Sequence, residues 1–512
     1  MDGSEKQTEM ARTIKAQVKQ SAAARRKGNF TVQVFPSARS QLGPEISASE
    51  RDPSPLLAEI IGNDSTLTSL STADETDIFF VTLYLDTVFP FLFPWYQPST
   101  LSGGRSWLLV LLKANQAIFH TAVSISSYYF TLLLAKDASH TVRTPCDQHV
   151  WDTLAKHMDV SVEVIRHYMD DFNMRQLGGD IFQQSHVLEG IVQLLIFETA
   201  MAQGADWDLH LSAALALFDE IFREHGMQDG MYHLPSILQA MHKPSVLDDV
   251  ALSVPVWNAD QAAFRFFAAF LIYADIVSST SLGKPPRLRQ RHRCLVMDAN
   301  GRSGPTNGAS ELLQMECYIG CQGWVLLLVG EISALEAWKR SASLLNNDDR
   351  EELIRRSKAL EETLQQGLQG IEGPFGPFCN VARAGKHTLV TMTWIHAAMI
   401  YLSTVKEGWR LDSQSVRSNV ESVLNILREL PPELCLRSLI WPLCISGFLA
   451  TTEQEQVFKN FVLSLGPLQA FGAAKEALRI MERVWRLRND LDRDMWQIAD
   501  CFKADKNKVL LV

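Results

Sequence analysis

The side chains of this chain that could do chemistry are its carboxylates, imidazoles, thiols and guanidinium groups, and their spacing tests each possibility. Asp170 and Asp171 open the run Asp170–Asp171–Phe172–Asn173–Met174. A D-D-x-x-D run on a helix wall would hold Mg²⁺ for diphosphate chemistry. Here Met174 takes the place of the third carboxylate, and two adjacent acids do not complete the tight octahedron that Mg²⁺ demands. A solvated acidic helix end is the expected reading. Cys317 and Cys321 lie four apart, a spacing that places both thiols on one helical face. Two buried small side chains are expected there, with a partial metal site as the competing reading. The eight cysteines are otherwise scattered and form no C-x-x-C, so neither a disulfide framework nor a conventional cysteine zinc finger is expected. The histidines suggest no triad. His157 and His167 are ten apart, and His210 follows Trp207 by three, which reads as a structural packing pair on one face.

Catalytic signatures are missing. No G-x-x-x-x-G-K-[ST] is present to cradle phosphates on backbone amides, and no G-x-G-x-x-G follows a strand. No H-E-x-x-H puts two imidazoles on one turn for zinc, and no G-x-S-x-G presents a nucleophile. Two basic runs remain. Arg25–Arg26–Lys27 fits a solvated tail, a nuclear-import signal or a nucleic-acid contact. Lys284, Arg287, Arg289, Arg291 and Arg293 fit a solvated loop, a dock for an acidic partner held extended by Pro285–Pro286, or a second import signal.

The elements that would position these groups are helical. Of 512 residues, 46% are hydrophobic and 21% charged, so most of the chain is expected to fold around a large core. The net charge of −10 argues against coating nucleic acid non-specifically, because that takes clustered Lys and Arg. The apolar stretches 78–96, 107–135 and 262–279 are broken by Asp86, Pro90, Lys113, His120, Arg265 and Asp275. A charge at the bilayer centre costs about 2.5–3.5 kcal/mol on the mildest scale, so these stretches read as buried core helices and no membrane association is expected. Residues 1–55 read as a basic, then Pro/Ser-rich, disordered tail and linker. A helical body is expected over 74–512, with 281–308 as a long basic loop inside it.

Helical period recurs along that body. Leu353, Ile354, Leu360, Leu364, Leu368 and Ile371 form one stripe, and Asp348 with Glu351 has the spacing of a capping box. The preceding helix, 324–345, is joined to this one by so short a turn that the two should pack antiparallel. Further helices are expected near 187–202, 207–225, 258–280, 385–406, 413–428, 433–450, 453–464 and 470–490. The expected fold is therefore all-α, an irregular array of antiparallel helix hairpins. No alternating run suggests a strand except the short 31–35.

Five segments in order carry a resemblance to a known family. They are F-E at Phe197–Glu198 followed by W-x-x-H-L at Trp207, His210 and Leu211; W-V-L-L-L-V-G-E-I-S-A-L-E-A-W-K-R ending past Trp338; W-I-H-A-A-M-I-Y-L around Trp394 and Tyr401; L-I-W-P-L-C-I-S-G around Trp441–Pro442; and V-W-R-L-R-N-D at Trp485, followed by D-M-W. Together they resemble the regulatory region of fungal binuclear zinc-cluster transcription factors. On the residues alone, the tryptophans are expected to be core anchors. Pro442 inside an apolar helix is expected to cost about 3 kcal/mol and produce a kink.

The resemblance implies a nuclear transcriptional regulator, plausibly of a fungal secondary-metabolite gene cluster, that works by binding rather than catalysis. Members usually carry six cysteines in paired C-x-x-C motifs, holding two zinc ions ahead of this region. Here the first cysteine is Cys146, and residues 5–28 look like the basic linker that follows the cluster. DNA contact is therefore expected to be indirect, through a DNA-bound factor or a homodimer. A cleft between helices leaves room for a small-molecule effector, and no cofactor or metal is expected. The rival readings are a Mg²⁺-dependent isoprenoid-type helical enzyme and a helical scaffold with no transcriptional role.

Overall fold

The computed structural model describes residues 75–99, 103–137, 180–201, 207–244, 256–297, 312–341, 346–371, 384–430, 438–488, 496–503 and 509–512, with positions 160 and 163. The tail 1–55, the basic run Arg25–Lys27, residues 31–35, Cys146, His157, His167 and the Asp170–Asp171 pair lie outside the described residues.

The described chain is all-α apart from one small hairpin. It opens with α1 (Glu75–Leu83), a wide π turn (Tyr84–Val88) and the short α2 (Phe89–Leu92). Pro90 stands in the first turn of α2, where its missing N–H costs no bond. Next come α3 (Ser106–Ala114), α4 (Gln116–Asp137), α5 (Ile181–Met201) and α6 (Trp207–His225). Strands β1 (Met227–Gln228) and β2 (Met231–Tyr232) pair antiparallel around Asp229–Gly230, both at positive φ. After α7 (Leu234–Ala240) comes α8 (Ala259–Leu282), then α9 (Arg289–Val296), α10 (Glu316–Ile319), α11 (Gly323–Ser341) and α12 (Asn347–Gln369). The chain continues through α13 (Ala384–Glu407), α14 (Gln414–Glu429), α15 (Ile440–Phe448), α16 (Thr452–Leu463), α17 (Ala474–Leu487) and α18 (Ile498–Lys503).

Helix α8 is the axis of the molecule. Asn258 and Gln261 close a reciprocal capping box at its start, and Gly283 at φ +63° ends it. Between them the helix is apolar all round, and α3, α5, α6, α11 and α18 pack against it. Among the described residues three helical stretches, Gln116–Leu134, Ala259–Leu282 and Gly385–Glu407, are long and apolar enough to cross a membrane. In this fold most of each stretch is buried against other helices, and the stretch in α8 is 94% buried. Consecutive helices joined by short connections pack side by side, as α5 with α6, α11 with α12 and α13 with α14. These pairs are the hairpin units of the array.

Several local expectations are corrected. The stretch 281–308 holds a two-turn helix, α9, because Leu288, His292, Leu295 and Val296 form a buried stripe at helical spacing. The capping box of α12 is Asn346 with Asp349, two residues before the expected one, since Asn346 has the extended backbone that a cap requires. The helix expected over 433–450 is described as α15 from Ile440. Pro442 therefore lies in the first turn of α15, where an N–H would have no intrahelical partner, and the backbone leaves helical geometry at Leu439 just ahead of it. The hairpin at 227–232 carries no expected strand signal beyond its Asp-Gly turn.

Candidate functional site

Two tryptophans of the ordered segments meet at one joint. The indoles of Trp394 on α13 and Trp441 on α15 stack with centroids 4.9 Å apart and planes 10° apart. Both are buried, and each Nε1 finds an acceptor: Trp394 donates to the Ser438 carbonyl at 3.0 Å, and Trp441 to Thr280 Oγ1 at 2.9 Å. The second bond ties α15 to the end of α8. Tyr401, two helical turns beyond Trp394 on α13, meets Trp441 edge-on and donates to the buried Glu336 of α11 at 2.7 Å. Burial pushes the Glu336 carboxyl upward against that hydrogen bond. Trp485 on α17 donates to the Gly447 carbonyl at 2.7 Å, locking α17 onto α15. Each of these aromatic side chains is buried among the helices. Trp338 is half-buried on the outer face of α11, under the Arg356 guanidinium 5.0 Å from its ring.

Glu198 and His210, twelve apart in sequence, come together across the α5–α6 turn at 2.9 Å. Trp207 is buried on the same helix, so the pairing that defines His210 runs to a carboxylate on α5. The F-E and W-x-x-H-L segments thus mark the two ends of one helix hairpin.

The second basic run is built into the fold. Asp275, buried on α8, accepts from the backbone N–H of Arg287 at 3.0 Å and of Leu288 at 2.9 Å. His292 Nε2 lies 3.0 Å from the same carboxylate. This one side chain sets the turn that starts α9 and so places the arginines. Arg287 pairs with Asp208 at 2.6 Å, and Arg289 forks onto Glu331 at 2.9 Å. Arg291 donates to the Gly230 carbonyl at 2.8 Å and covers the Tyr232 ring. Arg293 and Lys284 are exposed. The stretch is a mixed-charge ridge, with two of its cations answered by carboxylates at salt-screened surface positions.

Two small pockets flank the ring of Tyr318 on α10. One encloses about 50 Å³ among Tyr96, Trp257, Arg265, Gln314 and Cys317. The other encloses about 40 Å³ among Phe93, Phe266, Phe270, Tyr273 and Ser438. Tyr318 stacks on Tyr96 at 5.4 Å. Beside this cluster lies buried Glu316, its carboxyl pushed up to about 7 by desolvation, and the Cys321 thiol, raised by burial and by Glu316. A second buried acid, Glu189 on α5, is pushed up to about 8, and neither of its carboxylate oxygens has a hydrogen-bond partner. Sequence reasoning missed both acids and the pockets, because their linings come from segments up to hundreds of residues apart.

No three His, Cys, Asp or Glu side chains gather to hold a metal among the described residues. Cys317 and Cys321 are both buried. The described arrangement is built from packed tryptophans, capped helices and paired charges.

Comparison with known proteins agrees with the five segments. The fungal specific transcription factor domain matches residues 79–512. The transcription factor dibT of Pestalotiopsis microspora is 34% identical over 449 residues, covering 84% of this chain and 70% of that protein. The pestheic acid cluster transcriptional regulator 3 of Pestalotiopsis fici is 25% identical over 455 residues, 86% of this chain and 76% of the relative. A trichothecene biosynthesis transcription regulator of Trichoderma arundinaceum is 25% identical over 444 residues, 82% of this chain and 93% of the relative. No solved structure matches the chain. An all-helical body, five ordered tryptophan-bearing segments and a domain match reaching the last residue together place this chain in the fungal-specific transcription factor family, a family of regulators.

Proposed function

We propose that this chain is a nuclear transcriptional regulator of a fungal secondary-metabolite gene cluster, acting by binding through its helical body. The single observation that carries the reading is the domain match over 79–512. Relatives named for pestheic acid and trichothecene biosynthesis support the cluster assignment. The packing described above supports a binding role, since its buried polar and aromatic groups are spent on holding helices together.

The body reaches promoters through protein partners, either a DNA-bound factor or a second copy of this chain. Sequence-specific readout needs an ordered element in a groove. The mixed-charge ridge on α9 offers interspersed carboxylates that a continuous phosphate backbone would repel. Nuclear residence follows from this role. Arg25, Arg26 and Lys27 are the proposed import residues; Arg287, Arg289, Arg291 and Arg293 are instead a proposed protein-docking ridge.

Two measurements test the reading. Tethering the 512-residue chain to a heterologous DNA-binding domain upstream of a reporter should change transcription several-fold. Deleting the gene should change transcript levels of a co-located set of biosynthetic genes. If neither changes under producing conditions, the regulatory reading fails. Sequence-specific binding of a promoter by the purified chain at physiological salt would overturn the partner-dependent part.

A further inference from the structure

The cations from Lys284 to Arg293 start from a fixed backbone, because Asp275 sets the turn that carries them. Their hydrogen-bonding capacity is not used up inside the fold. Lys284 and Arg293 are exposed, and neither side chain has a hydrogen bond or ion pair among the described residues. Arg287 spends one N–H on Asp208, and Arg291 one on the Gly230 carbonyl, of the five that each guanidinium carries. The Arg287–Asp208 and Arg289–Glu331 pairs are partly exposed on both sides. Such pairs add little to stability, so an incoming carboxylate can share or replace them. Exposed Asp229 and the Asp219–Arg223 pair stand at the margin. With them counted, the ridge is still net positive, on a chain whose net charge is −10.

An exposed apolar side chain stands at each end of this row. Leu209 follows Asp208, which holds Arg287, and is 44% exposed. Met231 lies between Gly230 and Tyr232, which hold Arg291, and is 45% exposed. Helix α6 scales the distance between the ends. Asp208 bonds Arg287, and Asp219 further along the same helix bonds the Tyr232 hydroxyl. The rise between those two positions is about 16 Å, or three helical turns. Strands β1 and β2 are two residues long, too short for an added strand to pair along. An amphipathic helix, in contrast, is gripped by a few apolar anchors on one face. Carboxylates beside those anchors match the guanidinium forks, two oxygens to two N–H groups. A nucleic-acid backbone matches less well. It has no apolar group for Leu209 and Met231, and its phosphates would meet Asp208 and Glu331.

We propose that the α9 ridge and its two apolar ends form the docking surface for an acidic amphipathic helix of a partner protein, about three turns long. The carboxylates of that helix meet Lys284, Arg287 and Arg293, and its apolar side chains meet Leu209 and Met231. This assignment of an occupant rests on the protein-docking role given to the ridge under the proposed function.

The test uses the purified full-length chain and a labelled synthetic peptide of about four helical turns, with leucines on one face and glutamates elsewhere. Three controls accompany it: the peptide with glutamine for leucine, the peptide with lysine for glutamate, and a random-sequence DNA duplex. Binding is read by fluorescence anisotropy. The acidic amphipathic peptide should bind, and more weakly as salt rises. Each control should bind at least about tenfold more weakly. Lys284→Glu with Arg293→Glu reverses two exposed charges and should weaken the peptide about tenfold. Leu209→Ser with Met231→Ser should weaken it about as much, about tenfold, and leave its salt dependence unchanged. Leu463→Ser and Lys475→Glu, exposed positions on α16 and just inside α17, should change nothing. Circular dichroism confirms that each variant is folded. No peptide binding at millimolar concentration, equal binding of either peptide control, or an unchanged affinity in the Lys284→Glu, Arg293→Glu variant would overturn the proposal. DNA binding as tight as the peptide's, and lost in that same variant, would sink the protein-docking role as well. Loss of peptide binding without DNA binding sinks only the occupant. No promoter enters this experiment, so its failure leaves the transcriptional reading standing, and failure of the reporter test leaves the docking surface standing.

Discussion

Replacing Asp275 by Ala tests whether one buried carboxylate holds the α9 ridge in place. The wild-type side chain is 1% exposed and accepts from two backbone N–H groups, with His292 at 3.0 Å. The two N–H groups are not equivalent. Arg287 stands at an exposed position, where water can replace the lost acceptor, but Leu288 is buried and its N–H would be orphaned. A hydrogen bond to a charged group contributes about 1.5–3 kcal/mol, and leaving one partner of a buried pair uncompensated costs about 3–5 kcal/mol. With the solvent-rescued bond discounted, the expected loss is about 3–4 kcal/mol, a large share of the roughly 5–15 kcal/mol of an ordinary domain. Urea denaturation measures the global part. Hydrogen exchange over residues 284–296 measures the local part and should rise sharply, because α9 loses the anchor of its first turn. Asp275→Asn keeps one acceptor and should fall between the two. A loss under about 1 kcal/mol together with unchanged exchange over 284–296 would refute the argument that this carboxylate organises the ridge.

Other perturbations have expected outcomes of similar kind. Trp441→Ala removes both the stack on Trp394 and the bond to Thr280, and should cost about 3–5 kcal/mol in urea denaturation. Trp338→Ala, at a half-buried position, should cost no more than about 2 kcal/mol. Glu189 has a folded pKa of about 8, above its unfolded value. Its neutral form is therefore tolerated at low pH, and stability is lost as pH rises through that window. Glu189→Gln should flatten the fall in melting temperature between pH 5 and 8, leaving a smaller slope from Glu316. Gly320 sits at φ +84°, and a Cβ there would come within 2.5 Å of the Trp95 ring. Gly320→Ala should cost more than about 1–2 kcal/mol, measured as a drop in thermal midpoint.

Helices long enough to show their period were legible before any coordinates. The expected 258–280 is Ala259–Leu282, capped by Asn258 and Gly283, and the expected 207–225 is Trp207–His225, where apolar residues recur at helical spacing. Local punctuation misled where tertiary contacts decide. Pro285, Pro286 and the dense cations of 284–293 read as loop, yet Asp275, reaching from α8, supplies the acceptors that let a helix start there. Pro442 read as an interior break because nothing in sequence marks where a helix begins inside a uniformly apolar run. The tryptophans were visible as anchors, but their partners were not: Thr280 lies 161 residues from Trp441. The same holds for the two pockets beside Tyr318, whose walls come from residues 92–104, 257–273, 314–319, 438 and 512.

The anchoring of α9 also bears on how transport receptors could read this protein. A receptor that grips basic side chains along an extended peptide needs the backbone pulled straight. To present Arg289–Arg293 that way, the cell would have to unwind both turns of α9 and strip Leu295 and Val296 from the interior. Exposing those two side chains alone costs about 1.5–3 kcal/mol apiece, before the Asp275 bonds are broken. Cargo recognition at that site is thus opposed by the fold itself, and the folded arginines are displayed as a rigid relief that only a surface shaped to match can grip.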